Sequence, residues 1–229
     1  MIMDARGIVH VVDDDTSYRV ALGRLLRASG LEPRLYASAA EYLAGDDSKG
    51  PACLLLDLRM PGLTGLDLHS ALRARSSVRP VVFLSGHSDI PTTVRAIREG
   101  AVDFLTKPVD SETLLRSIDL ALQLDAERMR DRRATDAVAA RYWTLTARER
   151  QVMAGVVTGR LNKQIAYALD TAERTVKTHR ARAMAKMGVR SVPDLVHLAD
   201  RLTASGVVLE AVPGDGPKDA LPSRIACGQ

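Results

Sequence analysis

The sequence predicts a doubly wound α/β domain, a five-stranded parallel sheet covered by helices, followed by a second, all-α domain of four helices. Three observations lead there. Residues 1–125 of the 229 alternate short apolar runs with longer stretches of helical period, the pattern of strands and helices around a parallel sheet. Residues 144–202 instead break into four capped, amphipathic helical segments. The charge divides along the same line: residues 1–125 carry 14 Lys and Arg against 17 Asp and Glu, residues 144–205 carry 11 against 5. The formal net charge of +4 therefore joins an acidic half to a small basic unit. That asymmetry hints at nucleic acid, although one charge-rich helical face produces it without any partner.

Each strand of the first domain is a short apolar run: 8–12, 34–36, 53–56, 81–84 and 103–105. Near-continuous apolar strands mean that both sheet faces are covered. Amphipathic segments at 18–28, 39–43, 66–72, 92–98 and from Glu112 onward supply the cover. The last helix does not stop with the sheet, because Leu114, Leu115, Ile118, Ala121 and Leu122 run without Gly or Pro into a charged stretch, and 126–143 reads as a helical linker. Its mixed-sign charge favours solvated helix over a basic DNA-binding arm. From 206 to 229, Gly and Pro recur with little periodicity, which predicts a disordered tail.

Composition narrows the class. With 46% apolar and 26% charged residues the chain is ordinary globular. It has no run near the roughly 20 apolar residues of a membrane span and no signal-peptide core, so a cytoplasmic protein is expected, with no membrane partner. Cys53 and Cys227 form neither a disulfide framework nor a zinc-ligand spacing.

In a parallel sheet the carboxyl ends of all strands share one edge, where ligands bind. Asp13, Asp14 and Asp15 follow the first strand, Asp57 ends the third, and Ser85 and Lys107 end the fourth and fifth. Clustered carboxylates stay ionised only with a cation among them, which suits Mg²⁺. A carboxylate held this way can attack a phosphoryl group while the cation and the ammonium neutralise charge on the transferring oxygens. Singly, each Asp is an ordinary turn or cap residue; four strand ends together are not.

The runs Val11-Val12-Asp13-Asp14-Asp15, Leu56-Asp57-Leu58-Arg59-Met60-Pro61-Gly62 with Gly65, Leu84-Ser85-Gly86-His87 and Phe104-Leu105-Thr106-Lys107-Pro108 resemble a bacterial response-regulator receiver domain, which has the flavodoxin-like fold. The resemblance implies that Asp57 accepts a phosphoryl group from a cognate sensor histidine kinase. It also implies that Asp14, Asp57 and the backbone carbonyl of Arg59 hold Mg²⁺, with Asp13 acting through water. Ser85 would hydrogen-bond the phosphoryl group, Lys107 would pair with it, Phe104 would be the switch aromatic, and Lys107-Pro108 would be cis. The family dimerises on the face of its fourth helix, fifth strand and fifth helix, where Arg95, Arg98, Asp103 and Asp119 offer charge pairs.

In the basic unit, Thr146 and Glu149 have capping-box spacing and Gly159 ends the first helix. Asn162 is expected to cap the second helix, Thr171 to cap the third, which ends before Gly188, and Ser191 to start the fourth. Two short helices and a tight turn, the second helix basic, give the helix-turn-helix plan, with a plain four-helix core as the alternative. Along the third helix Val176, Ala183 and Met187 share one face, while Arg174, Thr178, Ala181 and Ala185 face the other way, flanked by Lys177 and Arg182. Such a short or basic face fits a major groove. Lys163, Thr175 and Arg180 are placed for phosphates, with an Arg180–Glu149 pair as a competing role. Only eight aromatics in the chain argue against single-strand stacking platforms.

Residues 145–153, 162–166 and 175–184 resemble a LuxR-type DNA-binding domain, and behind a receiver the chain is similar to the NarL/FixJ group. The chain departs at Asp170-Thr171-Ala172, where the family usually has Gly, an aliphatic residue and Ser. The resemblance implies a phosphorylation-activated transcription factor, most simply an activator. Its partners would be promoter DNA, a second copy when phosphorylated, and RNA polymerase. Two rivals compete. An aspartyl-phosphate hydrolase typically needs an Asp where Arg59 stands; a phosphorylation-independent regulator usually lacks Asp57 or Lys107.

Overall fold

The computed structural model describes residues 7–45, 50–74, 79–86 and 90–211. They form two compact units, one up to Arg130 and one from Asp131. In the first unit β1 (Ile8–Val12), β2 (Glu32–Tyr36), β3 (Ala52–Asp57), β4 (Val81–Ser85) and β5 (Asp103–Thr106) pair in the order β2-β1-β3-β4-β5. Every pairing is parallel. The helices α1 (Thr16–Ala28), α2 (Ala39–Gly45), α3 (Gly65–Ala74), α4 (Ile90–Arg98) and α5 (Ser111–Trp143) cross between them.

Strand alternation sorts the side chains into two cores. Val9, Val11, Cys53, Leu55, Val82 and Leu84 pack with Leu22 and Leu26 of α1 and with Leu114, Ile118 and Leu122 of α5. Val12, Leu54, Leu56, Val81 and Phe83 pack with Tyr42 of α2, Leu68 and Leu72 of α3, and Ala96 of α4. Both faces are thus covered, as the apolar runs predict. The strand expected at 34–36 begins earlier, at Glu32, and includes Pro33. β2 lies at the sheet edge, where a residue without an N–H is tolerated.

At the sheet edge opposite the acidic cluster, Asp125 of α5 is buried and accepts a hydrogen bond from Ala52 N at the start of β3 (2.9 Å). Arg79 completes this contact at 3.2 Å. Cys53, adjacent, is a free thiol whose pKa burial pushes far up, so it is chemically quiet.

In the second unit α6 (Ala147–Val157), α7 (Asn162–Ala168), α8 (Glu173–Met187) and α9 (Val192–Ala204) surround one apolar core. α5 is a single helix through the whole of 126–143, and Val138 and Tyr142, one turn apart, are buried in that same core. The residues 206–211 expected to begin the tail are placed: Val207 and Leu209 pack on the core, Glu210 N donates to the Tyr142 hydroxyl (3.2 Å), and Arg150 pairs with Glu210 at 2.7 Å. The rest of the expected tail, with Cys227, lies outside the described residues.

The capping box of α6 is formed: Thr146 N donates to Glu149 Oε2 at 2.9 Å and Glu149 N to Thr146 Oγ1 at 3.3 Å. Gly159 (φ 76°) follows the helix end, as Gly188 (φ 71°) follows α8, both in the left-handed conformation that glycine adopts without strain. Two expected caps are not made. Leu161 holds the N-cap position of α7, its N–H donating to Gln164 Oε1 (2.8 Å), and Asn162 is the first residue of the helix rather than its cap. Ala172, not Thr171, precedes α8, because Asp170 adopts a left-handed turn (φ 47°) that sends Thr171 N to Ala166 O at 3.0 Å.

Candidate phosphoryl-acceptor site and DNA-binding face

Parallel register brings the chemistry-bearing residues to one edge. Val12 lies level with Leu56, Asp57 with Leu84, and Ser85 with Thr106, so the next residues along, Asp13 and Lys107, meet Asp57 there. Asp13 and Asp57 are buried, 1% and 6% exposed, while Asp14 is exposed. One carboxylate oxygen from each of the three lies within 4.8 Å of the others, which is close enough for one small divalent cation. Asp15 stands apart as the N-cap of α1, accepting from Ser17 N and Tyr18 N.

Lys107 is the counter-charge. Its Nζ lies 2.7 Å from Asp13 Oδ2 and 2.9 Å from Asp57 Oδ1, and 4.5 Å from the centroid of the Tyr18 ring. Asp13 Oδ1 also accepts from Asp15 N (2.9 Å). Burial, with Asp13 and Asp14 adding repulsion, raises the Asp57 carboxyl above its ordinary range even though Lys107 pulls it down. For Lys107 burial works against the charge, but hydrogen bonds and attraction from Asp13 and Asp57 outweigh it and hold the ammonium above its usual pKa. This is a desolvated, anion-rich site with the Lys107 ammonium among its carboxylates, chemically suited to a carboxylate nucleophile and a bound metal.

The other expected receiver residues fall around it. Ser85 is buried at the end of β4, and Phe104 is half-buried on β5, its ring 6.3 Å from that of Phe83. Arg59 follows Asp57 in a loop closed by Gly65 N donating to Leu58 O (3.1 Å). Lys107-Pro108 is cis. His87 lies outside the described residues. Sequence reasoning missed Tyr18, placing it only at the start of an amphipathic helix; five residues after Asp13, in the first turn of α1, nothing marks it in the sequence as a contact of Lys107.

In the second unit the division of α8 is as read. Val176, Ala183 and Met187 are buried; Arg174, Lys177, Thr178, Ala181, Arg182 and Ala185 are exposed, with Thr175 and Arg180 intermediate, and Lys163 is exposed on α7. Lys177 pairs with Glu173 of its own helix (3.3 Å, exposed). The competing Arg180–Glu149 pair is not formed. Arg180 Nη1 donates to Asn162 Oδ1 (3.3 Å), and Glu149 is taken by Lys186 at 2.6 Å. Glu149 is 3% exposed; burial opposes its charge, yet Lys186 and the Thr146 cap hold its carboxyl below the ordinary range.

A doubly wound sheet with an acidic, lysine-closed strand edge, joined to a helix-turn-helix with a basic outward face, defines a response regulator with a DNA-binding output domain. Comparison with known families agrees: residues 9–119 match the response regulator receiver domain and residues 143–199 the bacterial regulatory proteins of the luxR family. The chain belongs to the transcriptional response regulators that combine these two domains, and the family consists of regulators rather than enzymes. It is similar to the response regulator protein TmoT of Ectopseudomonas mendocina, 42% identical over 88% of this chain and 92% of that one. It is also similar to the transcriptional regulatory protein FixJ of Azorhizobium caulinodans, 41% identical over 83% and 90%. Among solved structures it resembles response regulator StyR, with a TM-score of 0.74 and 44% identity over 85% of this chain and 98% of that chain. A receiver domain implies a histidine kinase partner, and a luxR-family domain implies DNA binding. Among the described residues no helix is long and apolar enough to cross a membrane.

Proposed function

We propose that Asp57 is the phospho-acceptor and that its phosphorylation makes the protein a dimeric, DNA-binding transcriptional activator in the cytoplasm. The observation that carries this is the buried Asp57 carboxylate within 4.8 Å of Asp13 and Asp14, with the Lys107 ammonium 2.9 Å away. An Asp57 oxygen attacks phosphorus on the kinase's phosphohistidine; the new O–P bond forms as the P–N bond breaks and imidazole leaves. Asp14, Asp57 and the Arg59 backbone carbonyl would hold Mg²⁺ directly, and Asp13 through water. When bound, the ion supplies positive charge against the transferring oxygens. Lys107 moves its contact from Asp57 to a phosphoryl oxygen, the Ser85 hydroxyl donates to another, and Phe104 follows Ser85 as the switch.

The added charge of roughly two units and three acceptor oxygens at one strand end biases the packing of α4 and β5. For the dimer face, Arg95 is engaged by Glu99, just past the end of α4 (2.7 Å), and Asp103 by the Ser117 hydroxyl (2.6 Å). The charge pairs expected there are joined by an exposed apolar stripe, Ile90, Val94 and Ile97, at helical spacing on α4. Sedimentation with a small-molecule phosphodonor tests the whole reading: the phosphorylated protein should sediment as a dimer and bind a two-fold promoter site more tightly than the unmodified one. A monomer after complete phosphorylation at micromolar concentration would remove the dimer from the mechanism.

On DNA, Arg174, Lys177, Thr178, Ala181 and Arg182 of α8 would face base edges, while Lys163, Thr175 and Arg180 would meet phosphates. Lys177→Ala should weaken binding by about 1–3 kcal/mol and relax preference at one operator position. Its exposed pair with Glu173 costs little to give up. A smaller salt dependence with unchanged sequence preference would instead make Lys177 a phosphate contact. RNA polymerase is the further partner an activator needs.

A further inference from the structure

An ammonium group has three N–H donors. For Lys107 two of them are accounted for by Asp13 and Asp57, at 2.7 and 2.9 Å, and the π face of Tyr18 lies against the group with its centroid 4.5 Å from Nζ. The ring is held from below: Tyr18 N donates to Asp15 Oδ1 (3.1 Å), so the loop that carries Asp13 and Asp14 also fixes the root of Tyr18. The ring itself is half-buried and packs on the α1–α5 side of the sheet. Lys107 is 18% exposed at its side chain, and cation–π attraction strengthens as the cation loses water.

We propose that Tyr18 is a positioning residue for phosphoryl transfer: its aromatic face holds the Lys107 ammonium in place while that group exchanges Asp57 for a phosphoryl oxygen. The proposal rests on the reading of Asp57 as the acceptor. Of these three neighbours among the described residues, Asp57 is the one whose charge is transformed by the reaction, and Asp13 is also claimed by the metal site. The ring is the neutral third neighbour: it neither competes for the cation as a carboxylate does nor requires a proton. It gives the ammonium a fixed point to pivot on and covers one approach of water to it. The hydroxyl takes no part, so a phenyl ring should serve equally well and an aliphatic side chain of similar bulk should not.

The test measures the rate of Mg²⁺-dependent phosphorylation of the full chain by acetyl phosphate. Tyr18→Phe should react at the wild-type rate, and Tyr18→Leu about 3- to 30-fold more slowly, the span expected from loss of a partly desolvated cation–π contact. The Leu variant should cost nothing further in a Lys107→Ala background, because the two act as one unit. Equal rates for Tyr18→Leu and wild type, or an undiminished loss in the Lys107→Ala background, would overturn the proposal. A second readout needs no folded variant: the ε-methylene protons of Lys107 in the wild-type protein should be shifted upfield by the ring current, before and after phosphorylation, and an ordinary position for them overturns it as well. If the wild-type chain takes up no phosphoryl group at all, the acceptor reading fails and this one with it; if it is labelled normally and Tyr18→Leu is indifferent, only the role of Tyr18 fails.

Discussion

Asp57→Asn should take up no phosphoryl group from a phosphorylated kinase or from acetyl phosphate. Intact-protein mass spectrometry would show the wild-type chain gaining one phosphoryl increment that is lost at alkaline pH, and the variant gaining none. The amide keeps the shape of the side chain and its place at the end of β3, level with Leu84, but it has no anionic oxygen to attack phosphorus. The loss is not one of folding. The Asp57 carboxylate is ionised at a cost, since burial raises its pKa and Asp13 and Asp14 repel it, so a neutral amide relieves that cost and the variant should melt no lower than wild type. Mg²⁺-dependent labelling that persists in Asp57→Asn would move the acceptor to another carboxylate and refute the assignment.

Gly65→Ala should be the most damaging single-methyl change near the site. Gly65 opens α3, and a β-carbon there would collide with the backbone carbonyl oxygen of Asp57 and lie 3.2 Å from both its carbonyl carbon and Leu56 Cγ. The obstacle is main chain of a central strand, which cannot swing aside as the end of a flexible side chain does. Relief must come from moving the end of β3 or the start of α3, a strain of about 3 kcal/mol. For a unit of this size that lowers the melting temperature by roughly 10 °C. The displaced atoms belong to Asp57 itself, so acetyl phosphate labelling should slow in the variant at temperatures where it remains folded. A variant that melts with wild type would show that the helix start is free to yield.

The strands were legible because a sheet buried on both faces leaves apolar runs that little else produces, and their ends were legible because parallel topology forces them to one edge. Asp13, Asp57, Ser85 and Lys107 could therefore be brought together from sequences 94 residues apart, the separation of the Lys107–Asp13 contact. What remained hidden were choices among equivalent partners. Glu149 had several basic residues of α8 within plausible reach, and which one it meets, Lys186 rather than Arg180, depends on helix crossing and side-chain length. Asn162 has the composition of a cap, but α7 begins at it rather than after it: Leu161 is the N-cap residue, and its N–H donates to Gln164 Oε1 three residues on. Val138 and Tyr142 were obscured by the charged residues around them, since two apolar positions one turn apart make a weak periodic signal even though they sit in a core. Tyr18 was visible as a residue and invisible as a contact, because a ring lying on an ammonium leaves no motif.

The anchor at Asp125 bears on how the chain can be dissected. β3 ends in the phospho-acceptor and begins at Ala52, whose N–H is held by a carboxylate more than seventy residues downstream, backed by Arg79. A fragment cut before residue 125, though it would keep every residue of the acidic cluster, would leave that buried N–H without its carboxylate acceptor. The strand that carries Asp57 is thus moored on the far side of the sheet from its chemistry, and a boundary drawn just after the last apolar turn of the helix would cut that mooring while sparing the whole acidic cluster.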